Sequence, residues 1–361
     1  MNIPYYLQEN FNNKIEILQE KSKNNKDFSI PFITDTHNSE TKTRSFAIEV
    51  VNEVSKRLGH NFVLAGGDLI QNDDNKQMVL DRLINFKNSF NSKENLLLCL
   101  GNHDDNSTFK NYEKAITHSE MKSFMFNDLK NVVWGDDFYY YKDFQNHKIR
   151  VIVLNNMDIP EYTEKMKYIG QNDYVFSNKQ LNWVANKALN LKNDWKVIFL
   201  SHCPMLSNSE GFDIPIKNSD AMLKIISAFK NGERIEISKE GEFSYNVKVD
   251  YREKGTIVCC LFGHVHCDNI IYNDKIAHVS TTCDKHYSRY GSSPIGKIGE
   301  VSEIAFDVLT VSDNNVYLTR FGVGEDRTFG FEDNTNVEKS KNMLLNLSSI
   351  FLKRLANFSI I

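Results

Sequence analysis

The sequence predicts an α/β protein in which two β-sheets pack face to face, with helices on their outer sides. In the first third of the chain a strand, a loop and a helix recur three times, a pattern typical of strands joined by crossover helices. The part after residue 256 is rich in short apolar and β-branched segments, which add strands. A chain of 361 residues is long enough for one large domain or two ordinary ones.

The first hundred residues contain an amphipathic helix followed by three buried strands. Apolar residues at helical spacing predict a helix within residues 5–24 that packs on the body; they are Leu7, Phe11, Ile15 and Leu18. The strands are predicted over residues 28–34, 62–65 and 96–100. Helices are predicted over residues 41–58 and 75–90.

The rest of the chain is predicted to complete both sheets. A hairpin is expected over residues 139–144 and 149–154, and an alternating segment over residues 234–251 indicates an inserted hairpin. Helices are predicted over residues 177–191 and 217–230. The remaining strands are predicted over residues 195–200, 256–262, 269–272, 276–281, 303–311 and 316–321.

We expect three parts along the chain: an N-terminal helix in residues 1–27, a main domain in residues 28–325 and a tail in residues 326–361. The tail carries a helical stripe of apolar residues, Leu344, Leu347, Phe351, Leu355 and Phe358. Because Lys353 and Arg354 form no clear basic face, this helix is expected to dock on the body, or on a second copy in a homo-oligomer, rather than on a membrane.

Composition excludes several classes of protein. The net charge is −4, so no general affinity for nucleic acid is expected. No apolar run approaches the roughly 20 residues of a spanning helix, and the first residues do not resemble a signal peptide. The six cysteines lie mostly in apolar strands or beside histidines, which is typical of reduced thiols in a cytoplasmic protein.

Five predicted strands end in residues that can bind metal ions. These residues are Asp35 and His37, then Asp68, then Asn102 with His103 and Asp104, then His202, and finally His264 and His266. Each motif alone could be a turn, a loop or a helix cap. Because the loops after the carboxyl ends of parallel strands gather at one edge, a shared site explains all five together.

Read in order, the motifs resemble the signature of the calcineurin-like metallophosphoesterases across roughly residues 30–270. The motifs are Asp35-x-His37, Gly67-Asp68, Gly101-Asn102-His103-Asp104, His202 and Gly263-His264-x-His266. The resemblance implies a four-layer α/β/β/α sandwich of two packed mixed β-sheets flanked by helices, with a two-metal centre. It implies one ion held by Asp35, His37 and His266, a second held by Asn102, His202 and His264, and Asp68 bridging them. It also implies that His103 sits beside the substrate, oriented by Asp104.

The residue types fit this chemistry independently. Mixed imidazole, carboxylate and amide ligands suit Mn, Fe or Zn ions, whereas Mg or Ca would favour oxygen ligands alone. A metal-bound hydroxide can attack a phosphoester in line, so no nucleophilic side chain is needed. An unligated histidine such as His103 is suited to protonate the leaving oxygen. We therefore expect a phosphoesterase acting on a phosphodiester or phosphomonoester.

The motif details disfavour several branches of the family. The motifs differ from those of the protein Ser/Thr phosphatases at three places: Asn38 after the first motif, Leu69 to Gln71 after Asp68, and Asp104 after His103. The purple acid phosphatases have a tyrosine near Asp68, and residues 69–73 contain none. The lack of a basic stripe disfavours a DNA nuclease. A small-molecule or nucleotide-type substrate is expected; the alternative is a non-enzymatic scaffold that retains the fold.

A few further residues have two possible roles. Arg44 and Arg327 can bind phosphate, although the sequence favours a surface ion pair for both. Cys267 could be read as a third ligand beside His266, although enough other ligands are present. The remaining histidines are expected to have no role in the site, with His286 the best exception because it follows a predicted strand end; they are His60, His118, His147, His278 and His286.

Overall fold

The structure is a computed structural model that describes residues 3–22, 27–38, 46–192, 194–206, 215–284 and 296–331. Within these ranges no helix is both long and apolar enough to cross a membrane. The helix expected in the tail lies outside the described residues, as do Arg44 and His286.

The described residues form six α-helices and fifteen strands. The helices are α1 Tyr5–Lys21, α2 Ala47–Arg57, α3 Lys76–Asn88, α4 His118–Met121, α5 Asn178–Trp183 and α6 Ser219–Asn231. The first nine strands are β1 Phe28–Ile33, β2 Val63–Ala65, β3 Leu96–Leu98, β4 Val133–Trp134, β5 Tyr140–Phe144, β6 Ile149–Val153, β7 Lys196–Leu200, β8 Arg234–Lys239 and β9 Tyr245–Asp250. The others are β10 Thr256–Phe262, β11 Asn269–Asn273, β12 Ile276–Ser280, β13 Ala305–Ser312, β14 Asn315–Gly322 and β15 Arg327–Gly330.

Two large sheets contain all but two of these strands, and both sheets are mixed. Sheet 1 has the order β15-β14-β13-β1-β2-β3, in which β1, β2 and β3 run parallel. Sheet 2 has the order β11-β12-β10-β7-β6-β5-β4, in which β12, β10, β7 and β6 run parallel. Strands β8 and β9 form a separate hairpin, as the alternating segment predicted.

The main hydrophobic core lies between the two sheets. Phe32 and Leu309 of sheet 1 are fully buried in one cluster with Ile198 and Leu261 of sheet 2. Side chains alternate along a strand, so Phe199, next to Ile198, points to the opposite face and packs in a second cluster with α5 and α6. Helices α1 to α3 bury apolar residues in the first cluster. The predicted sandwich of two packed mixed sheets with flanking helices is confirmed.

Helix α1 packs against the C-terminal strands of sheet 1. Its four apolar residues noted in the sequence are all buried. Phe11 lies against Phe321 of β14, with 6.3 Å between ring centroids. At the surface, Lys14 forms an ion pair with Asp326 at 2.7 Å. The two ends of the described chain are therefore joined in one layer.

Two elements differ from the sequence expectation. Strand β15, which the sequence did not predict, pairs with β14, with Val316 opposite Phe329 and Leu318 opposite Arg327. The helix expected over residues 177–191 is α-helical only in α5, and a π-helical turn follows over residues 184–188. Local sequence periodicity does not distinguish a π turn from an α turn.

Replacing Phe11 with alanine should destabilise the protein by about 3 to 5 kcal/mol, because it leaves a cavity against sheet 1. The free energy of unfolding can be measured by urea denaturation. Tyr5→Ala is the matched control, since Tyr5 is an aromatic residue of the same helix that is 89% exposed. Equal stability of both variants would show that α1 is not part of the core.

Candidate metal centre

The loops that follow β1, β2, β3, β7 and β10 meet at one edge of the sandwich. Backbone hydrogen bonds continue past the strand ends, from Asp35 N to Gly67 O at 3.0 Å and from His37 N to Asp68 O at 2.9 Å. In sheet 2, Gly263 N donates to His202 O at 2.9 Å. The loops are therefore fixed extensions of the strands.

Five of the sequence-predicted site residues have left-handed backbone conformations. Their φ angles are 52° for Asp35, 40° for His37, 49° for Asp68, 65° for His264 and 53° for His266. Such conformations cost on the order of 1 to 3 kcal/mol each and persist only where the surrounding structure enforces them. They turn all five side chains toward a common point, so strain is concentrated where the donor atoms gather.

The first donor group contains Asp35, His37, Asp68 and His266, whose ligand atoms all lie within 4.8 Å of one another. His266 Nε2 is 3.2 Å from Asp35 Oδ1 and 3.2 Å from His37 Nε2. His37 Nε2 is 3.6 Å from Asp68 Oδ2. All four side chains are almost completely shielded from solvent.

The second donor group contains Asn102, His202 and His264. Asn102 Oδ1 lies 3.1 Å from His202 Nε2 and 2.9 Å from His264 Nδ1, and these two nitrogens are 3.1 Å apart. His202 Nδ1 donates to Gly66 O at 2.8 Å, which leaves Nε2 free to act as a ligand. The Cys203 thiol also lies within 4.8 Å of the two histidines. Cys267, the cysteine that lies next to His266 in sequence, belongs to neither group.

Asp68 lies between the two groups. Its Oδ1 is 3.3 Å from His202 Nε2, and its Oδ2 faces His37 in the other group. A carboxylate with one oxygen directed at each of two donor sets is the arrangement that bridges two cations about 3.5 to 4 Å apart.

The ionisable groups perturb each other strongly. Against the effect of burial, the Asp35 carboxylate raises the pKa of His266 to about 12, and Asp68 raises the pKa of His202 to about 9. Burial lowers the pKa of His37 and that of His264 to about 4 each. Each group therefore contains one imidazole that binds a proton at neutral pH and one that does not.

These donor sets fit metal ions. Nitrogen and oxygen ligands about 2.0 to 2.2 Å from one ion lie about 2.8 to 3.6 Å from each other, which matches the separations in both groups. The imidazole nitrogens face each other in pairs, and a single proton can satisfy only one contact of each pair. A metal ion, in contrast, would accept the lone pairs of all the nitrogen and oxygen atoms of a group at once. The assignment of individual residues as ligands remains a prediction.

The loop packing leaves no space for larger residues at two glycines. A Cβ atom on Gly101 would lie 1.9 Å from Asp68 N, and one on Gly263 would lie 2.4 Å from Asp35 Oδ2. A side chain at either position would displace a carboxylate of the donor groups.

Asp104 does not orient His103, contrary to the sequence expectation. Its Oδ1 accepts from the backbone N–H groups of Leu69 and Ile70, and its Oδ2 accepts from Gly101 N at 2.7 Å. The carboxyl group is fully buried, and burial, together with Asp68, raises its pKa to about 8. The Asp104 side chain points away from that of His103. Its hydrogen bonds hold the loop after β3 against the loop after β2.

Asn72 holds His103 instead, and the sequence argument missed it. Asn72 Oδ1 contacts His103 Nδ1, while Asn72 Nδ2 donates to the His103 carbonyl oxygen at 2.9 Å. The His103 ring is 4.9 Å from the ring of His37, and its Nε2 lies 3.9 Å from Asp68 Oδ2. Only the position of Asn72, four residues after Asp68 in the same loop, could have indicated this contact.

The other candidates lie outside the two donor groups. Arg327 forms ion pairs with Asp268 and Asp307, as expected, but these pairs are mostly buried and not at the surface. His118 faces Asp137 at 3.3 Å, and His60 bonds the carbonyl of Ser29 at 2.8 Å.

Comparisons with known proteins show the family and the fold. A sequence model of the calcineurin-like phosphoesterase family matches residues 28–268. The fold is similar to that of a dimetal phosphatase from Danio rerio, with a TM-score of 0.59 and 14% identity, covering 84% of this chain and 99% of that chain. A weaker similarity is to the anchor in the inner membrane complex of Plasmodium, with a TM-score of 0.47 and 13% identity, covering 89% of this chain and 95% of that chain. No curated protein sequence matches this chain.

Metal binding should release about two protons at pH 7, because His202 and His266 must lose theirs to act as ligands. The affinity should rise with pH, more steeply below about 9, the pKa of His202, than above it, where only His266, with a pKa of about 12, still has a proton to lose. Calorimetric titration of the apoprotein with Mn²⁺ in two buffers of different ionisation enthalpy measures the number released. Heats that do not depend on the buffer would contradict these protonation states.

Proposed function

The chain belongs to the calcineurin-like phosphoesterase family, and from that membership we propose that it hydrolyses a phosphoester at a centre of two metal ions. The observation that carries the proposal is the position of Asp68 between two donor groups, each containing two imidazoles. Burying a carboxylate among four histidines is costly unless the carboxylate binds cations, so the cluster is better explained by metal binding than by a structural role.

In this proposal each donor group holds one ion. Asp35, His37 and His266 bind the first, and Asn102, His202 and His264 bind the second, with Asp68 shared. The mixture of nitrogen and oxygen ligands favours Mn, Fe or Zn. When bound, the ions neutralise phosphate charge and lower the pKa of coordinated water from about 15.7 to near 7.

His103 is the proposed general acid. Its side chain is 24% exposed at the margin of the donor groups, so it can reach a bound ester. Asn72 Oδ1 accepts the proton on Nδ1, and the Asn72 amide is itself oriented by the bond from Nδ2 to the His103 carbonyl. This arrangement leaves Nε2 as the nitrogen that gives its proton to the leaving oxygen.

The proposed substrate is a small or nucleotide-type phosphodiester or phosphomonoester. The net charge of −4 supports a small substrate over a long nucleic acid. The direct test compares bis-p-nitrophenyl phosphate, a diester, with p-nitrophenyl phosphate, a monoester, using Mn²⁺-loaded protein. Turnover should disappear after chelation and return when Mn²⁺ is restored. If fully metallated protein turned over no phosphoester in a wider panel, the scaffold alternative would replace the proposal.

His103→Ala should bind both metal ions with unchanged stoichiometry. Its kcat should be lower than that of the wild type by roughly 10²- to 10⁴-fold. Metal content by atomic emission and kcat with a p-nitrophenyl ester check the two parts separately. A fall in metal content would mean that His103 is a ligand.

Asn72→Ala should lower kcat by less than His103→Ala does, because the imidazole stays but its orientation and tautomer are no longer fixed. Asn72→Asp retains an acceptor for Nδ1 and should recover part of the loss. If the two Asn72 variants had the same kcat, the contact with Nδ1 would not matter for the reaction.

A further inference from the structure

A cluster of four buried or mostly buried charges lies behind the candidate metal centre. It consists of Asp307 on β13, Arg320 on β14, Arg327 at the start of β15, and Asp268 in the loop between β10 and β11. Two carboxylates and two guanidinium groups balance in charge. Three members belong to sheet 1, and Asp268 belongs to a loop of sheet 2, so this four-charge cluster joins the two sheets.

Arg320 is the centre of the four-charge cluster. Its side chain is fully buried. Its Nη1 and Nη2 donate to the two oxygens of Asp268 at 2.9 and 2.5 Å, and its Nε donates to Asp307 Oδ1 at 2.9 Å. A planar guanidinium that grips one carboxylate with two nitrogens fixes both the position and the orientation of that carboxylate.

Asp268 follows His266 by two residues, and the intervening backbone is held as well. Thr282 N donates to Asp268 Oδ1 at 2.9 Å, and Thr282 Oγ1 donates to the His266 carbonyl at 3.1 Å. Ser280 Oγ donates to the Cys267 carbonyl at 2.7 Å. Three consecutive residues of the metal loop are therefore fixed from the side away from the donor groups.

The loop needs such support, because His264 and His266 both have left-handed backbone conformations. Burying four charges is in itself weak evidence for a gain in stability, since well-packed apolar residues often serve a fold equally well. A geometric role accounts better for the Arg320 guanidinium, because it binds both oxygens of Asp268, and Asp268 holds a strained loop in place. Partners of this kind, which hold ligands without touching the metal, commonly determine metal affinity.

We propose that Arg320 is a positioning residue for metal binding, which holds His266 in place by gripping Asp268. This inference rests on the proposed function, because it takes His266 to be a ligand. Arg320 lies after residue 268, where the match to the family model ends, so the residue is not part of the matched motifs.

Two variants test the role while limiting damage to the fold. Arg320→Lys keeps the positive charge, but it lacks the planar guanidinium whose N–H groups bond Asp268 and Asp307 together. Asp268→Asn keeps the size of the side chain and an acceptor for Thr282 N but removes the charge that Arg320 binds. The matched control is Arg150→Lys. Arg150 is also buried and donates to both oxygens of Asp143, at 2.6 and 2.8 Å, but it lies near the start of β6, away from the strand ends that carry the site.

Each protein is titrated with Mn²⁺ by calorimetry below its unfolding temperature, and its Mn²⁺ electron paramagnetic resonance spectrum is recorded. Wild-type protein should bind two ions with a spin-coupled signal. Arg320→Lys and Asp268→Asn should weaken one of the two sites about 10- to 100-fold and convert the signal to that of single ions. Arg150→Lys should lower the melting temperature without changing either readout.

Three outcomes have distinct meanings. If Arg320→Lys and Asp268→Asn bind two ions as tightly as wild type, the positioning role is wrong, although the dimetal centre stands. If Arg150→Lys weakens binding equally, the effect comes from general loss of stability, and the positioning role is again wrong. If wild-type protein binds fewer than two ions, the proposed function fails and this inference fails with it. Should Arg320→Lys not fold, Asp268→Asn alone decides.

Discussion

The candidate site depends on one constraint: each donor group draws residues from both sheets. Sheet 1 loops carry Asp35, His37, Asp68 and Asn102, while sheet 2 loops carry His202, His264 and His266. His266 completes the group formed by Asp35 and His37, and Asn102 completes the group formed by the other two histidines. Neither sheet has a complete group alone. The apolar core between the sheets therefore sets the donor distances as well as the stability.

The sequence predicted those features that depend on local pattern. Buried strands with polar ends, and the convergence of those ends at one edge, follow from apolar periodicity and from the geometry of parallel strands. The two-sheet fold was predictable for the same reason, and it is confirmed. The grouping of Asp35 with His37 required only their spacing, since residues in one loop cannot lie far apart. Spacing alone did not group His264 with His266, because these two histidines lie in different donor groups.

The features that the sequence did not reveal depend on side-chain direction and long-range pairing. Asp104 and His103 are adjacent in sequence, yet one side chain turns inward to backbone N–H groups and the other outward to Asn72. No pattern distinguishes these two directions in an irregular loop. Strand β15 has only four residues and gains its place from pairing with β14. Asp268 and Arg320 are apart in sequence, so their contact appears only in three dimensions.

The position of β1 has a consequence for the order of folding. Strand β1 is synthesised well before β13, yet it lies inside sheet 1, where Phe28 pairs with Val311 of β13. Until the C-terminal strands are synthesised, one edge of β1 has unpaired N–H and C=O groups and an uncovered apolar face, and α1 lacks β14 to pack against. Folding with such distant pairing is slow, because a long loop must close before the contact forms. The incomplete sheet 1 is therefore prone to aggregation until β13 and β14 have been synthesised.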